Sequence, residues 1–270
     1  MKSPTLLLSL ILSAGLSAAE NPLLIQLDQA AVQLSFQKIP AATFEMGSQL
    51  DELERQPDEL AHRVTISADY YLATHELTQS QWFKLMGTTP QQQFEKYNKR
   101  WPLRGTGDQH PMYLISWDEC QELCKKLNQL AAAQLPAGYQ FTLPTEAQWE
   151  YAAKSGTPNF SLEILAELAW FRTTSKKQVH PVASKKPNLH GLFDMHGNVS
   201  EWCLDWYAEY PAEPVIDPAG PASGDRRVCR GGSWFGKWQN TRPSRRFHDP
   251  QDQGFSSMGV RLCLSKAGQE

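Results

Sequence analysis

Leu143-Pro144-Thr145-Glu146-Ala147-Gln148-Trp149-Glu150-Tyr151-Ala152-Ala153 reads as a short helix that carries its own start signal. The Thr145 hydroxyl accepts from a first-turn N–H, and Gln148 three residues on reaches back to the cap, a reciprocal pair that fixes a helix N-terminus. The same device recurs at Thr78 with Gln81 and at Ser116 with Glu119. The helix after Ser116 is expected to be the longest. Its residues Cys120, Leu123, Cys124, Leu127 and Leu130 fall at three- and four-residue steps and make one apolar stripe for a core. Gly87 and Gly156 are expected to end the first and third helices, since glycine tolerates the left-handed backbone just past a helix. Segments 63–66, 70–72, 227–229 and 260–264 read as short strands. Segments 155–197 and 210–225 are dominated by turn formers and read as ordered loops over a small sheet.

Composition bounds what such a chain does. Lys2, the apolar run 6–12 and Ser17-Ala18-Ala19 have the order of a signal peptide, so 1–19 is read as a leader and Glu20 as the mature start. Export follows, to a periplasmic or extracellular compartment. The apolar run is far short of the roughly 18 to 20 residues that span a bilayer, and no later stretch exceeds it, so no membrane span is expected. Removing Lys2 from the 26 bases leaves 25 against 29 acids, which gives no field for nucleic acid or an anionic membrane. Nine Trp, eight Tyr and eleven Phe beside 18 Pro and 17 Gly describe an aromatic core with much irregular backbone. With no internal repeat or linker, one domain is read at 36–264, between an N-terminal lead-in at 20–35 and a C-terminal tail at 265–270.

Further short strings recur in a fixed order along the chain. They are Phe44-Glu45-Met46-Gly47-Ser48, Glu76-Leu77-Thr78-Gln79-Ser80-Gln81-Trp82, His110-Pro111-Met112 with Ser116-Trp117-Asp118, and the helix quoted above. Then come Gly191-Leu192-Phe193-Asp194-Met195-His196-Gly197-Asn198-Val199-Ser200-Glu201-Trp202, Arg230-Gly231-Gly232-Ser233-Trp234 and Gly259-Val260-Arg261-Leu262. Together, over roughly 36–264, they resemble the formylglycine-generating-enzyme, or sulfatase-modifying factor, family. The resemblance implies an α+β, C-type-lectin-like fold: a small twisted antiparallel sheet, short helices and long ordered loops. That scaffold is shared by enzymes that oxidise a sulfatase cysteine, by domains of ergothioneine synthases, by a periplasmic siderophore-maturation protein and by relatives without known catalysis, so fold alone does not settle function.

In the copper-dependent members two cysteines follow the Arg-Gly-Gly-Ser-aromatic string and bind the soft copper(I) ion as thiolates. Gly236 and Thr241 stand at those positions here, so copper is not expected. Iron has only isolated histidines, none in an H-E-x-x-H or i, i+4 pattern, and His248-Asp249 beside Arg245-Arg246 is the best local polar candidate, with a solvated turn as the alternative. The resemblance implies a calcium loop with oxygens from Asp194, Gly197, Val199 and Glu201. It also implies a disulfide from the middle helix to the last strand. Cys124 holds the helix position, but Cys263 lies one residue beyond the strand position at Leu262, and alternation of strand faces leaves that bridge open. Cys203 and Cys229 read either as small buried residues or, with Arg227 and Arg230 nearby, as thiols of lowered pKa.

In relatives the surface beside the Arg-Gly-Gly-Ser string is a groove for an extended peptide. Here Arg230, Ser233, Trp234, Phe235, Trp238, Arg242, Arg245 and Arg246 converge on it in sequence. Trp117, Trp149 and Trp202 read as core, and Trp238 as exposed and ligand-facing. Two functions follow from the resemblance. The first is a module that binds a peptide or protein in the cell envelope; the alternative is a periplasmic enzyme of oxidative maturation acting on a peptide-like product.

Overall fold

The computed structural model describes residues 21–97, 102–155 and 162–268. The leader read at 1–19, the cap read at Gly156 and the last two residues of the tail lie outside them. Strands β1 (Leu23–Leu27), β2 (Val32–Ile39), β3 (Ala42–Met46), β4 (His62–Ile66) and β5 (Tyr70–Ala73) come first, then helices α1 (Gln79–Met86), α2 (Pro90–Lys96) and α3 (Trp117–Leu130). After β6 (Tyr139–Thr142) stand α4 (Glu146–Lys154) and α5 (Leu162–Leu168). The chain continues through β7 (Ser200–Trp206), β8 (Val215–Ile216), β9 (Arg227–Arg230), β10 (Phe247–Asp249), β11 (Met258–Gly259) and β12 (Cys263–Lys266). Three sheets result, ordered β1-β2-β5-β12-β6, β10-β9-β7-β11 and β3-β4-β8, antiparallel except at the short β7–β11 and β4–β8 pairings.

All three capping boxes form, at Thr78, Ser116 and Thr145, and Gly87 ends α1 with φ 79°. A fourth, Thr89 with Gln92, opens α2 behind Pro90, which sits where a missing N–H costs nothing. On α3 the residues Cys120, Leu123, Cys124 and Leu127 are buried, while Leu130 lies outside the stripe at 40% exposure. They pack with Phe36, Trp82, Phe141 and Leu264 in the larger core, where each fully buried large side chain contributes roughly 1.5–3 kcal/mol.

Four readings are corrected. The stretch read as a lead-in is sheet from Leu23 onward, because Val32, Leu34 and Phe36 point into the core between outward-facing Gln33 and Ser35. The loops read at 155–197 and 210–225 contain α5 and β8. Of the strand read at 260–264 only Cys263 and Leu264 are strand, in β12 with β5 and β6; β11 ends at Gly259 and pairs with β7, and Arg261 sits at the crossing between the two sheets. Its buried guanidinium donates to the Ala73 and Phe193 carbonyls at 2.8 and 2.7 Å, giving the crossing its own bonds in place of a ladder. Finally, Cys124 and Cys263 are not joined, and all five cysteines are thiols. Parity is the reason: Leu262, Leu264 and Cys124 share the larger core, while Cys263 turns to the opposite face among Leu72, Trp149 and Cys203.

Candidate ligand-binding groove

The groove is made by the reversal that follows β9. Gly231 and Gly232 are consecutive left-handed residues, φ 93° and 70°, and a Cβ on Gly232 would lie 2.6 Å from the Asn240 carbonyl oxygen. Only glycine fits there. The reversed chain is then tied down: the Trp234 amide donates to the Asn198 carbonyl at 2.8 Å, its indole to the Ser256 carbonyl at 3.1 Å, and Ser175 Oγ donates to the Trp234 carbonyl at 2.7 Å. Trp234 is thereby buried with one edge on the groove, whereas Phe235 stands 61% exposed. Arg172 braces it, its amide on the Gly236 carbonyl at 2.8 Å and its Nε on the Phe235 carbonyl at 3.0 Å. The resulting hollow of about 570 Å³ is lined by Trp234, Phe235, Ser256, Ser257 and Pro102 together with Arg104, Arg172 and Lys177.

Of the eight residues read as groove, Trp234 and Phe235 line it, and three of the arginines are structural. Arg230 is fully buried against Glu150 and donates to the Ser244 and Arg245 carbonyls. Arg246 grips Glu146 with two bonds of 2.7 and 2.9 Å. Arg242 grips Glu59 at 2.7 and 3.0 Å and Glu52 at 2.6 Å. Burial alone would disfavour these charges, but the facing carboxylates hold the Arg230, Arg242 and Arg246 pKa values above the ordinary guanidinium range. Arg245 is partly exposed, 3.9 Å from Asp58 and over the Phe247 ring. Ser233 is buried, and Trp238 is half-buried against Leu165, Ala169 and Phe171. Arg104, Arg172 and Lys177 were not legible as site residues, because they come from two loops with no motif.

The two positions that carry thiolates in copper-dependent relatives are packed backbone and hydroxyl. Gly236 is buried, with Asn240 Nδ2 3.2 Å from where its Cβ would be, and Thr241 donates its hydroxyl to the Trp238 carbonyl at 2.8 Å. These residues do not fit copper. The reactive-thiol reading of Cys203 and Cys229 is corrected too, since both are fully buried and burial pushes their pKa values well up. His248 packs on Tyr207 at 4.1 Å, and Arg246 beside it is committed to Glu146, so the polar cluster read at 245–249 does not converge.

Behind the groove lies an acidic core. Glu76, Asp194 and Glu201 are buried around Arg261. Glu76 accepts from the Val199 amide and the Asn198 side chain, and burial pushes its carboxyl well above the usual range. Asp194, φ 59°, accepts from Ala183 through Oδ2, while its Oδ1 has no partner. Burial lifts its pKa to about 6. Glu201 has both oxygens engaged, by Arg261 at 2.7–3.0 Å and by the Trp149 indole at 2.6 Å. Of the four residues read as a calcium loop, Asp194 keeps one buried oxygen without a hydrogen-bond partner among the described residues, and Glu201 is committed to Arg261. Among the described residues no group of three His, Cys, Asp or Glu is placed to hold a metal ion. A second hollow, about 310 Å³, lies over Asp205 and Tyr210. Asp205 accepts from the Glu146 amide at 2.7 Å, and burial raises its pKa to about 7.

Comparison with known proteins agrees with this fold. The model of the sulfatase-modifying factor enzyme 1-like domain matches residues 29–266. The formylglycine-generating enzyme of Streptomyces coelicolor is 32% identical over 180 residues, covering 58% of this chain and 53% of that one. A serine/threonine-protein kinase pkn1 of Chlamydia pneumoniae is 29% identical over 244 residues, 83% of this chain but 37% of the other. This chain thus spans about a third to a half of these relatives. Among solved structures, Treponema denticola variable protein 1 superposes with a TM-score of 0.73 at 29% identity, covering 89% of this chain and 97% of that one. PvdO from Pseudomonas aeruginosa does so at 0.70 with 22% identity, over 92% and 100%, a likeness of fold alone.

Proposed function

Because the chain belongs to the sulfatase-modifying factor enzyme 1-like domain family, we propose that it is an exported binding member of it. It holds a peptide or protein segment in the groove beside Phe235 and does not generate formylglycine. The observation that carries the reading is the packing at Gly236 and Thr241: where relatives present sulfur, this chain presents buried backbone and a hydroxyl already bonded within its own turn. The adjacent groove keeps the features of a binding surface. Phe235 stands out as an aromatic anchor on a backbone fixed by Asn198, Ser175 and Arg172, and rigid aromatic contacts lose little entropy on binding. Among the described residues no helix is long and apolar enough to cross a membrane.

Two measurements test this. Trp234 lines the groove, so its fluorescence should change on titration with cell-envelope peptides, and Phe235→Ala should weaken binding by about tenfold or more, the scale of an anchor residue. In parallel, the purified protein is assayed for bound copper or iron and for oxygen uptake with the same peptides. Stoichiometric metal with turnover would overturn the binding reading in favour of oxidative maturation. Conversely, Gly236→Cys with Thr241→Cys is expected to gain copper(I) affinity that the parent lacks.

A further inference from the structure

We propose that the groove selects an anionic ligand, a peptide whose carboxylates meet Arg104, Arg172 and Lys177 while an apolar side chain lies on Phe235. This rests on the reading of the groove as a peptide site and adds the sign of the charge it takes.

The argument is one of charge placed against the average. The chain carries 26 bases and 29 acids, a net −3, yet among the described residues the groove lining holds three bases and no carboxylate. Elsewhere buried arginines are matched: Arg230 with Glu150, Arg242 with Glu59, Arg246 with Glu146 and Arg261 with Glu201. Among the described residues, no such ion pair forms at Arg104, Arg172 or Lys177. Arg172 has its Nε on the Phe235 carbonyl and its guanidinium 5.2 Å from the Phe235 ring centroid, an orientation that sets cation and aromatic side by side. A guanidinium held this way binds a carboxylate with more than point charge, since its remaining N–H groups form a planar fork.

Lys177 is placed by backbone that side-chained residues adopt rarely. Lys176 and Lys177 are both left-handed, φ 53° and 62°. The turn is wired to the groove wall, because the Lys177 amide donates to Ser175 Oγ at 3.2 Å and that hydroxyl donates to the Trp234 carbonyl at 2.7 Å. Like charges gathered around a concave surface reinforce one another's field there, raising the local concentration of anions. A duplex nucleic acid finds too little room in about 570 Å³ and too few aromatic faces for stacking, so an acidic peptide is the occupant favoured.

Fluorescence anisotropy with four labelled probes tests the assignment. Three are ten-residue peptides of identical apolar residues carrying three Glu, three Gln or three Lys, and the fourth is a ten-nucleotide oligothymidylate. At low salt the Glu peptide is expected to bind about tenfold or more tighter than the Lys peptide. The margin should shrink at 0.5 M salt, where the screening length falls to about 4 Å. Arg104→Gln with Lys177→Gln should reduce the preference while Tm stays unchanged, since both side chains are exposed. Equal binding of the Glu and Lys peptides, each weakened by Phe235→Ala, would overturn the charge assignment and leave the peptide groove standing. Binding of none of the peptides overturns the groove itself. Tighter binding of the oligonucleotide than of the Glu peptide assigns the cations to phosphate and overturns the proposal.

Discussion

Replacing Arg261 by Met is the sharpest perturbation this structure offers. The guanidinium is fully buried and closes on Glu201 with three contacts of 2.7–3.0 Å. It also donates to the Ala73 and Phe193 carbonyls and is the cation that faces the acidic core of Glu76 and Asp194. Methionine fills much of the volume but supplies no donor. Breaking a buried pair by removing one partner costs about 3–5 kcal/mol, a large part of the roughly 5–15 kcal/mol that holds a domain together. Urea unfolding at pH 7 should show that loss. Without Arg261 the buried Glu76 and Asp194 carboxyls, already raised by burial, lose the cation that lowers them, so the variant's native state binds more protons than the parent's. Its stability deficit should therefore narrow as pH falls from 7 toward 5. Adding Glu201→Gln removes the uncompensated charge, and the double variant should recover at least about 1 kcal/mol over Arg261→Met. A loss below about 1 kcal/mol, or a deficit unaffected by both pH and Glu201→Gln, refutes the view that this pair anchors the loop whose Asn198 carbonyl positions Trp234.

Other consequences are measurable in the same material. Asp205 and Asp194 have folded pKa values raised to about 7 and about 6, so their stabilising protonation is complete below the ordinary aspartate pKa near 4 and is lost as pH rises through 6 to 7. Asp205→Asn keeps an acceptor for the Glu146 amide and should flatten the fall in Tm between pH 5 and 8; an unchanged slope would show that Asp205 does not titrate there. His196 acts oppositely: burial lowers its pKa to about 4, so its contribution is present above about 6.5 and is lost as pH falls toward 4. Calcium at millimolar concentration should raise Tm in the parent and not in Asp194→Ala, and equal melting of the parent with and without calcium removes the ion from the account. Gly232→Ala places a Cβ 2.6 Å from the Asn240 carbonyl at φ 70°, so a loss above about 1 kcal/mol is expected together with weaker peptide binding. Unaltered urea midpoint and affinity would mean that the reversal at Gly232 relaxes without consequence.

Much of the fold was legible because local signals agreed with one another. Three capping boxes and the stripe on α3 were read from side-chain chemistry at fixed spacing, which does not depend on tertiary partners. The β1–β2 hairpin also carried an alternating signal at Val32, Leu34 and Phe36, obscured by its position ahead of the recognised strings. The break in the strand read at 260–264 could not be read in that way. Val260, Arg261 and Leu262 look like strand residues, and it takes the pairing of β11 with β7 and of β12 with β5 and β6 to show that the chain changes sheets there.

The site was less legible for a related reason. Motif residues in this chain mostly hold the scaffold: Arg230 answers Glu150, Arg261 answers Glu201, and Gly231-Gly232 shape a reversal. A buried charge tolerates few alternatives once its partner is fixed, so such residues form the strings that stand out. The surface they support is under no comparable constraint. Arg104, Arg172 and Lys177 are exposed, in no ion pair among the described residues and scattered over two loops, so no buried partner fixes their charge. It follows that the strings report the family, while the charge proposed for the groove's ligand rests on residues that no string contains. Exchanging Arg104 and Lys177 should accordingly change which ligand binds and leave stability within about 0.5 kcal/mol, the usual range for surface substitutions. Exchanging Arg230 should unfold the protein before any ligand preference can be measured.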